Sequence, residues 1–203
     1  MIAYRLASYD TPLRAIASRL AGRFNRADES SPTQYLCTHP VGPFAELMRG
    51  HGLRGIEQLL EVRARSWAVR VPADDLPQIT FDNASEFGVA PDDLVSDDFE
   101  GCQALAARLR DELPGAIVPS AALPGTENVV LFGPRVAAPY LVEPVSSVDL
   151  PAGIAAEGGR PVSSLLSIVR FRGKPHAALE AWESGETFEF VEPDWALSLH
   201  APP

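Results

Sequence analysis

Three polar residues stand in series in the first quarter of the chain, each of a type that can do chemistry. They are the arginine of Gly22-Arg23-Phe24-Asn25, the tyrosine of Gln34-Tyr35-Leu36 and the glutamate of Phe44-Ala45-Glu46-Leu47. Arg23 opens a loop that also holds Asn25 and Arg26, and it reads either as a solvated loop cation or as a phosphate clamp. Tyr35 reads as a core aromatic with a satisfied hydroxyl or as a stacking platform for a planar ring. Glu46, on a helix with few other charges, reads as a solvated acid or as a cleft carboxylate set opposite a cation. Two more residues join them on the same terms. Arg5 lies inside an opening strand next to Tyr4 and faces either solvent or an anion in a cleft. Ser120 follows a proline at the end of a buried strand, where a hydroxyl is an ordinary turn device.

These residues must be positioned by regular elements, which the apolar pattern places. Ile2 to Ala7 reads as a strand, Thr11 to Leu20 as a short amphipathic helix, and Gly22 to Pro32 as a polar loop. Tyr35 to Thr38 is a short strand, and Phe44 to Met48 a helix running to Gly50. From Leu59 to Val71 the charged residues alternate, the two-residue period of a half-exposed strand. Leu76 to Asp98 is acidic and broken by prolines, hence loops and short turns. Phe99 to Leu113 is the clearest helix, with Leu105, Ala106 and Leu109 following Cys102 at offsets of three, four and seven, and Pro114-Gly115 to end it. Ala116 to Val118 and Asn128 to Phe132 are apolar strands. Arg135 to Arg160, rich in Pro, Gly and Ala, reads as a connection. Leu165 to Arg172 and Thr187 to Glu192 read as two further strands, with a turn over Glu183 to Glu186. The class is α+β, with a mixed or mainly antiparallel central sheet and flanking helices.

Composition narrows the function. The 203 residues are 46% hydrophobic and 22% charged, ordinary for one globular domain. The net charge of −10 disfavours a nucleic-acid surface, which needs clustered Lys and Arg. Lys174 is the one lysine, so nearly all positive charge is arginine, the better bidentate partner for phosphate. Cys37 and Cys102 have no metal or disulfide spacing and read as buried small hydrophobes. His39, His51, His176 and His200 are scattered and read as surface histidines. There is no phosphate-binding Gly-rich loop, no dinucleotide fingerprint and no Gly-x-Ser-x-Gly. No signal peptide and no apolar run of membrane-spanning length is visible, so the expected location is cytoplasmic.

The ordered set Tyr4-Arg5, Gly22-Arg23-Phe24-Asn25, Gln34-Tyr35-Leu36, Ala45-Glu46, Ile117-Val118-Pro119-Ser120-Ala121 and Asn128-Val129-Val130-Leu131-Phe132 resembles the RES domain family. The Glu100 to Ala106 helix ahead of the Pro-Ser strand is similar to the family pattern too. The likeness covers about residues 2 to 135. It departs at Arg26 to Pro32, where the family carries a turn with proline and glycine.

The resemblance implies a fold related to ADP-ribosyltransferase toxins, with a catalytic core over 1–135 and an extension over 136–203 whose two strands complete or cover the same domain. It implies an enzyme that cleaves the nicotinamide–ribose bond of NAD with phosphate or water as acceptor. Such an enzyme is the toxin of a pair neutralised by an Xre-type helix-turn-helix antitoxin. NAD is then a substrate, inorganic phosphate a co-substrate, and no prosthetic group or metal is implied. Glu46 would stabilise the developing ribose cation, Arg23 hold phosphate and Tyr35 stack on nicotinamide. Arg5 with Tyr4, and Asn25, would bind the dinucleotide, and Ser120 with Asn128 behind it would position nicotinamide or phosphate. Transfer of ADP-ribose to a macromolecule, and a RES-like module without catalysis, are the other readings. A homo-oligomer is left open.

Overall fold

The computed structural model describes residues 1–7, 17–133, 143–151 and 162–192. Its strands are β1 (Ile2–Ala7), β2 (Thr33–Cys37), β3 (Arg63–Arg70), β4 (Gly115–Pro119), β5 (Glu127–Phe132) and β6 (Glu143–Pro151). Its helices are α1 (Gly42–His51), α2 (Ile56–Glu61), α3 (Glu100–Leu109), α4 (Val162–Ile168) and α5 (Ala177–Glu183). The six strands form one sheet in the order β4-β5-β2-β1-β3-β6. Every pairing within it is antiparallel. The fold is α+β, as the alternation of strand and helix periods predicts.

Side-chain alternation sorts the sheet into two faces. Ala3, Leu36, Trp67, Ile117, Val129 and Leu131 share a core on one face. Ala116, Val118 and Val130 point the other way, into a core closed by Cys102, Leu105, Ala106 and Leu109 of α3. Both cysteines are buried as free thiols. A third core joins α1 to the segment after β4: Phe44, Ala45 and Met48 pack with Ala122, Leu123 and Leu165. With those α1 residues turned inward, Pro43, Glu46, Leu47 and Gly50 form a stripe at offsets of three, four and seven on a different face of the helix.

The chain after residue 133 is organised differently from expectation. Within the expected connection of 135–160 lies β6, paired along β3. Its prolines, Pro144 and Pro151, mask a strand that only an outer position in the sheet accommodates. Leu165 to Arg172, read as a strand, begins inside α4 and continues as a turn, because its apolar run packs on α1 rather than on a strand. Thr187 to Glu192 runs without strand pairing; the expected turn before it is present, with Gly185 at φ 72°. Leu59 to Glu61 belongs to α2, so the alternating strand starts only at Arg63. Most of the helix expected over 11–20 falls outside the described residues, and Ala17 to Leu20 are not helical.

Residues 162–192 strap across the segment joining β4 to β5. Arg170 N–H donates to Ala122 O at 2.9 Å. His176, read from sequence as a surface histidine, is 4% exposed. Its Nδ1 accepts from Leu179 N–H at 3.3 Å, capping α5, and its Nε2 lies 3.0 Å from Ser120 O. Because Nδ1 faces an N–H it must be the acceptor, so the ring is neutral with its proton on Nε2. Burial drives the pKa down to about 4; the Ser120 carbonyl opposes this, and Arg170, Arg23 and Arg49 add to it.

Two expectations follow from this packing. A Cβ on Gly115 would sit 2.1 Å from Val130 O and 3.1 Å from Leu131 Cα, both backbone atoms of β5. Gly115→Ala should therefore destabilise the fold by about 2 kcal/mol or more in urea denaturation. For His176 the unfolded chain binds a proton that the folded chain refuses between the ordinary value and about 4, so stability rises with pH across that window. Relative to His176→Gln, the native chain should lose up to about 3 kcal/mol as pH falls from 6.5 to 4. Parallel denaturation curves for the two chains over that range would refute the buried neutral ring.

Candidate active site

A cavity of about 400 Å³ opens between α1, the loop at Ala21 to Phe24 and one face of the sheet. Its floor is dictated by strand register. Cys37 lies opposite Tyr4 and Asn128, Tyr35 opposite Val130, and Val118 opposite Asn128, so these side chains share a face. All of them line the cavity. α1 contributes its outward stripe, Pro43, Glu46, Leu47 and Gly50, together with Arg49.

Glu46 meets the sheet here. Its Oε1 accepts from Asn128 Nδ2 at 2.7 Å and from Ser120 Oγ at 3.2 Å. No described residue donates to Oε2. Two donors converging on one oxygen fix the carboxylate's plane and leave the second oxygen for a ligand. Asn128 Oδ1, held by the same amide, is buried with no hydrogen-bond partner among the described residues. An amide carbonyl left unpaired in a cavity wall is an acceptor for an incoming N–H or O–H.

Ser120 is fully buried and acts through Glu46 rather than as part of the cavity wall. Its hydroxyl donates to Glu46 and accepts from Leu123 N–H at 3.1 Å, the turn role that its place after a proline suggested. Its backbone N–H donates to Thr126 O at 2.9 Å.

The Arg23 loop is stapled from several sides. The Tyr35 hydroxyl donates to Asn25 Oδ1 and accepts from Phe24 N–H, both at 2.9 Å. Burial pushes the Tyr35 phenol up, so it stays protonated at neutral pH and serves as a strut, not a base. Asn25 spends its other end on Leu20 O and Arg26 O, which makes it a structural residue of the loop. Gly22 is required by this arrangement: a Cβ would come 2.9 Å from the Tyr35 hydroxyl. From α3, Gln103 Nε2 donates to Gly22 O at 2.9 Å and to Asn25 O at 3.1 Å. In the divergent turn that follows, Asp28 takes the left-handed conformation, φ 57°, that a glycine would adopt without strain.

Arg23 reaches from this loop to Asp93 O at 3.2 Å and Ser96 O at 2.6 Å, and stacks over Phe99 with 5.0 Å to the ring centroid. Arg172 lies over the same ring at 5.6 Å and is exposed at the cavity edge. Arg49, 5% exposed, donates from Nε to Ala121 O at 3.2 Å and pairs with Asp97 at 2.5 Å. Burial pulls its pKa down to about 10, with Arg23 and Arg170 adding and Asp97 and Glu46 opposing, so it remains a cation at neutral pH. Glu46 is the one carboxylate among the cavity's described lining residues.

The structure thus brings Tyr4, Arg23, Tyr35, Glu46 and Asn128 to one cavity, with Ser120 behind Glu46 and Asn25 behind Tyr35. Arg5 borders the same cavity. Alternation turns its side chain to the face of Ala3 and Leu36, where Nη1 donates to Gln34 Oε1 at 2.9 Å. Arg49, Phe99, Arg172 and His176 escaped sequence reasoning. Only Arg49 had a signal, its position one helical turn after Glu46; the others join the site from far along the chain. Among the described residues no group of His, Cys, Asp and Glu could hold a metal ion, and no helix is long and apolar enough to cross a membrane.

Comparison with known proteins bears on this geometry. The chain is 33% identical over 115 residues to the probable NAD(+) phosphorylase Rv3189 of Mycobacterium tuberculosis, 57% of this chain and 55% of the relative. It therefore spans about half the length of that curated relative. Among solved structures, a chain of the MbcT-MbcA toxin-antitoxin complex of M. tuberculosis superposes with a TM-score of 0.63 at 26% identity, covering 76% of this chain and 86% of that one. The RES domain profile matches residues 2–152, which hold Arg23, Tyr35, Glu46, Ser120 and Asn128, and the chain belongs to the RES domain family.

Proposed function

We propose that this chain cleaves the nicotinamide–ribose bond of NAD, passing the ADP-ribosyl group to phosphate or water, and that it acts as the toxin of a toxin–antitoxin pair. The observation that carries the reading is a lone carboxylate, Glu46, oriented by Ser120 and Asn128 in a cavity whose walls hold Arg23, Arg49 and Arg172. A ligand matching that pattern carries negative charge at one end and develops positive charge at the other. NAD does both, through its pyrophosphate and through the ribose C1″ as nicotinamide leaves. The likeness to a probable NAD(+) phosphorylase and to a toxin–antitoxin complex supports the same assignment.

In this mechanism the arginines hold the pyrophosphate and the Tyr35 ring flanks the nicotinamide. The C1″–N1 bond breaks, its electron pair stays with the nicotinamide nitrogen, and a neutral molecule departs. The ribose becomes an oxocarbenium-like cation, stabilised by the negative charge of Glu46 fixed beside it in advance. Asn128 Oδ1 accepts a hydrogen bond from the nicotinamide amide or a ribose hydroxyl. A phosphate oxygen then bonds to C1″, giving ADP-ribose-1″-phosphate, or water does so with loss of a proton, giving ADP-ribose. The partner in this reading is an Xre-type antitoxin.

Nicotinamide release from NAD tests the reading directly. Glu46→Gln keeps the shape and both donors' partner while removing the charge, and should lower kcat by about 10³-fold. Arg23→Ala should mainly raise KM, since a phosphate contact is made equally in ground and transition states. Undiminished turnover in Glu46→Gln would sink the site. Mass spectrometry of the product with phosphate present separates phosphorolysis from hydrolysis, and a radiolabelled macromolecule would instead favour transfer.

A further inference from the structure

We propose that His176 is a positioning residue for this reaction: by holding the Ser120 carbonyl, it sets the hydroxyl that orients the Glu46 carboxylate. The residue lies beyond the 2–152 match to the family, in the strap carried by α4 and α5. The assignment rests on NAD cleavage at Glu46.

The connection runs through three contacts. His176 Nε2–H donates to Ser120 O at 3.0 Å, Ser120 Oγ donates to Glu46 Oε1 at 3.2 Å, and Asn128 Nδ2 holds the same oxygen at 2.7 Å. Ser120 follows the last residue of β4 and opens a turn, so its ψ, and with it the direction of the residues that follow, is not set by strand pairing. Its N–H is tied to Thr126 O and its hydroxyl to Leu123 N–H. The carbonyl is the remaining handle, and His176 takes it. The imidazole is itself locked. Phe81 packs against it edge-on with centroids 6.0 Å apart, and the Phe81 ring also leans on Trp182, whose Nε1 donates to Asp82 at 2.7 Å. Arg170 fastens the strap at its other end, to Val95 O at 2.8 Å and to Asp97 at 3.1 Å. Asp97 in turn holds Arg49 in the cavity wall. The strap therefore supports both the carboxylate and one of the cations.

Two substitutions separate this role from that of a helix cap. His176→Gln places an amide N–H near the position of Nε2 and can still donate to Ser120 O, but loses the cap at Nδ1. His176→Asn is a strong N-cap for α5 and too short to reach Ser120. Steady-state nicotinamide release by the full chain, with thermal melting alongside, should show kcat for His176→Asn reduced at least about tenfold with KM near the native value, because misplacement of a reacting group falls on the chemical step. His176→Gln should recover kcat to within about threefold of native despite its weaker cap. A native-like kcat in His176→Asn, or an equal loss in both variants that tracks their melting temperatures, would overturn the assignment while leaving NAD cleavage standing. A native chain that releases no nicotinamide would overturn both.

Discussion

One carboxylate oxygen gathers donors from two strands that are adjacent in the sheet. Glu46 Oε1 receives Ser120 from just past β4 and Asn128 from the start of β5, across 74 and 82 residues of sequence. Helix α1 can deliver the carboxylate there only because Ala45 and Met48 are fully buried, which fixes the rotation of the helix about its axis. A turn of the helix by one residue would carry Glu46 off the cavity. The position of the charge is therefore a consequence of core packing, and the two hydrogen bonds refine it.

The electrostatics of the site run against those of the chain. A net charge of −10 is compatible with a cavity lined by arginines because the nearby acids are spent elsewhere. Asp97 accepts from Arg49, Arg170 and Gly173 N–H. Burial works to raise its pKa, but the Gly173 N–H and the two arginines outweigh it and hold the carboxyl below its usual range. Arg23 is satisfied by backbone carbonyls at Asp93 and Ser96, which orient the guanidinium without cancelling its charge. The cavity thus keeps a positive wall and a single negative point. That polarity suits the proposed substrate, NAD, whose pyrophosphate is anionic from the start and whose pyridinium charge passes to the ribose as the bond breaks.

The loop that carries Arg23 is rigid without regular structure. Tyr35 from below and Gln103 from α3 occupy its polar backbone groups, and Arg110 reaches Phe24 O at 2.7 Å from the other side. Residues that look like ligands in a motif, Tyr35 and Asn25 above all, here spend their hydrogen bonds on each other. Preorganisation of this kind lets a loop hold the Arg23 guanidinium in place without ordering it anew.

How much of this could be read from the residues alone differs between fold and site. Periodicity and turn chemistry sufficed for β1, β2, α1, α3, β4 and β5, where local pattern and final packing agree. They failed at β6, whose prolines hide a strand that exists by pairing with β3, and at α4, whose short apolar run suits helix or strand equally. At the site, the sequence determined the inventory: Arg23, Tyr35, Glu46, Ser120 and Asn128 in an order that pointed to one family. What each of them touches was decided by the tertiary structure. Strand alternation sent Arg5 to the other face, burial made Tyr35 and Asn25 struts, and the strap brought His176 to Ser120 from 56 residues away. Local sequence carries period and propensity, whereas hydrogen bonds between distant residues depend on register and helix rotation, which only the packed core sets.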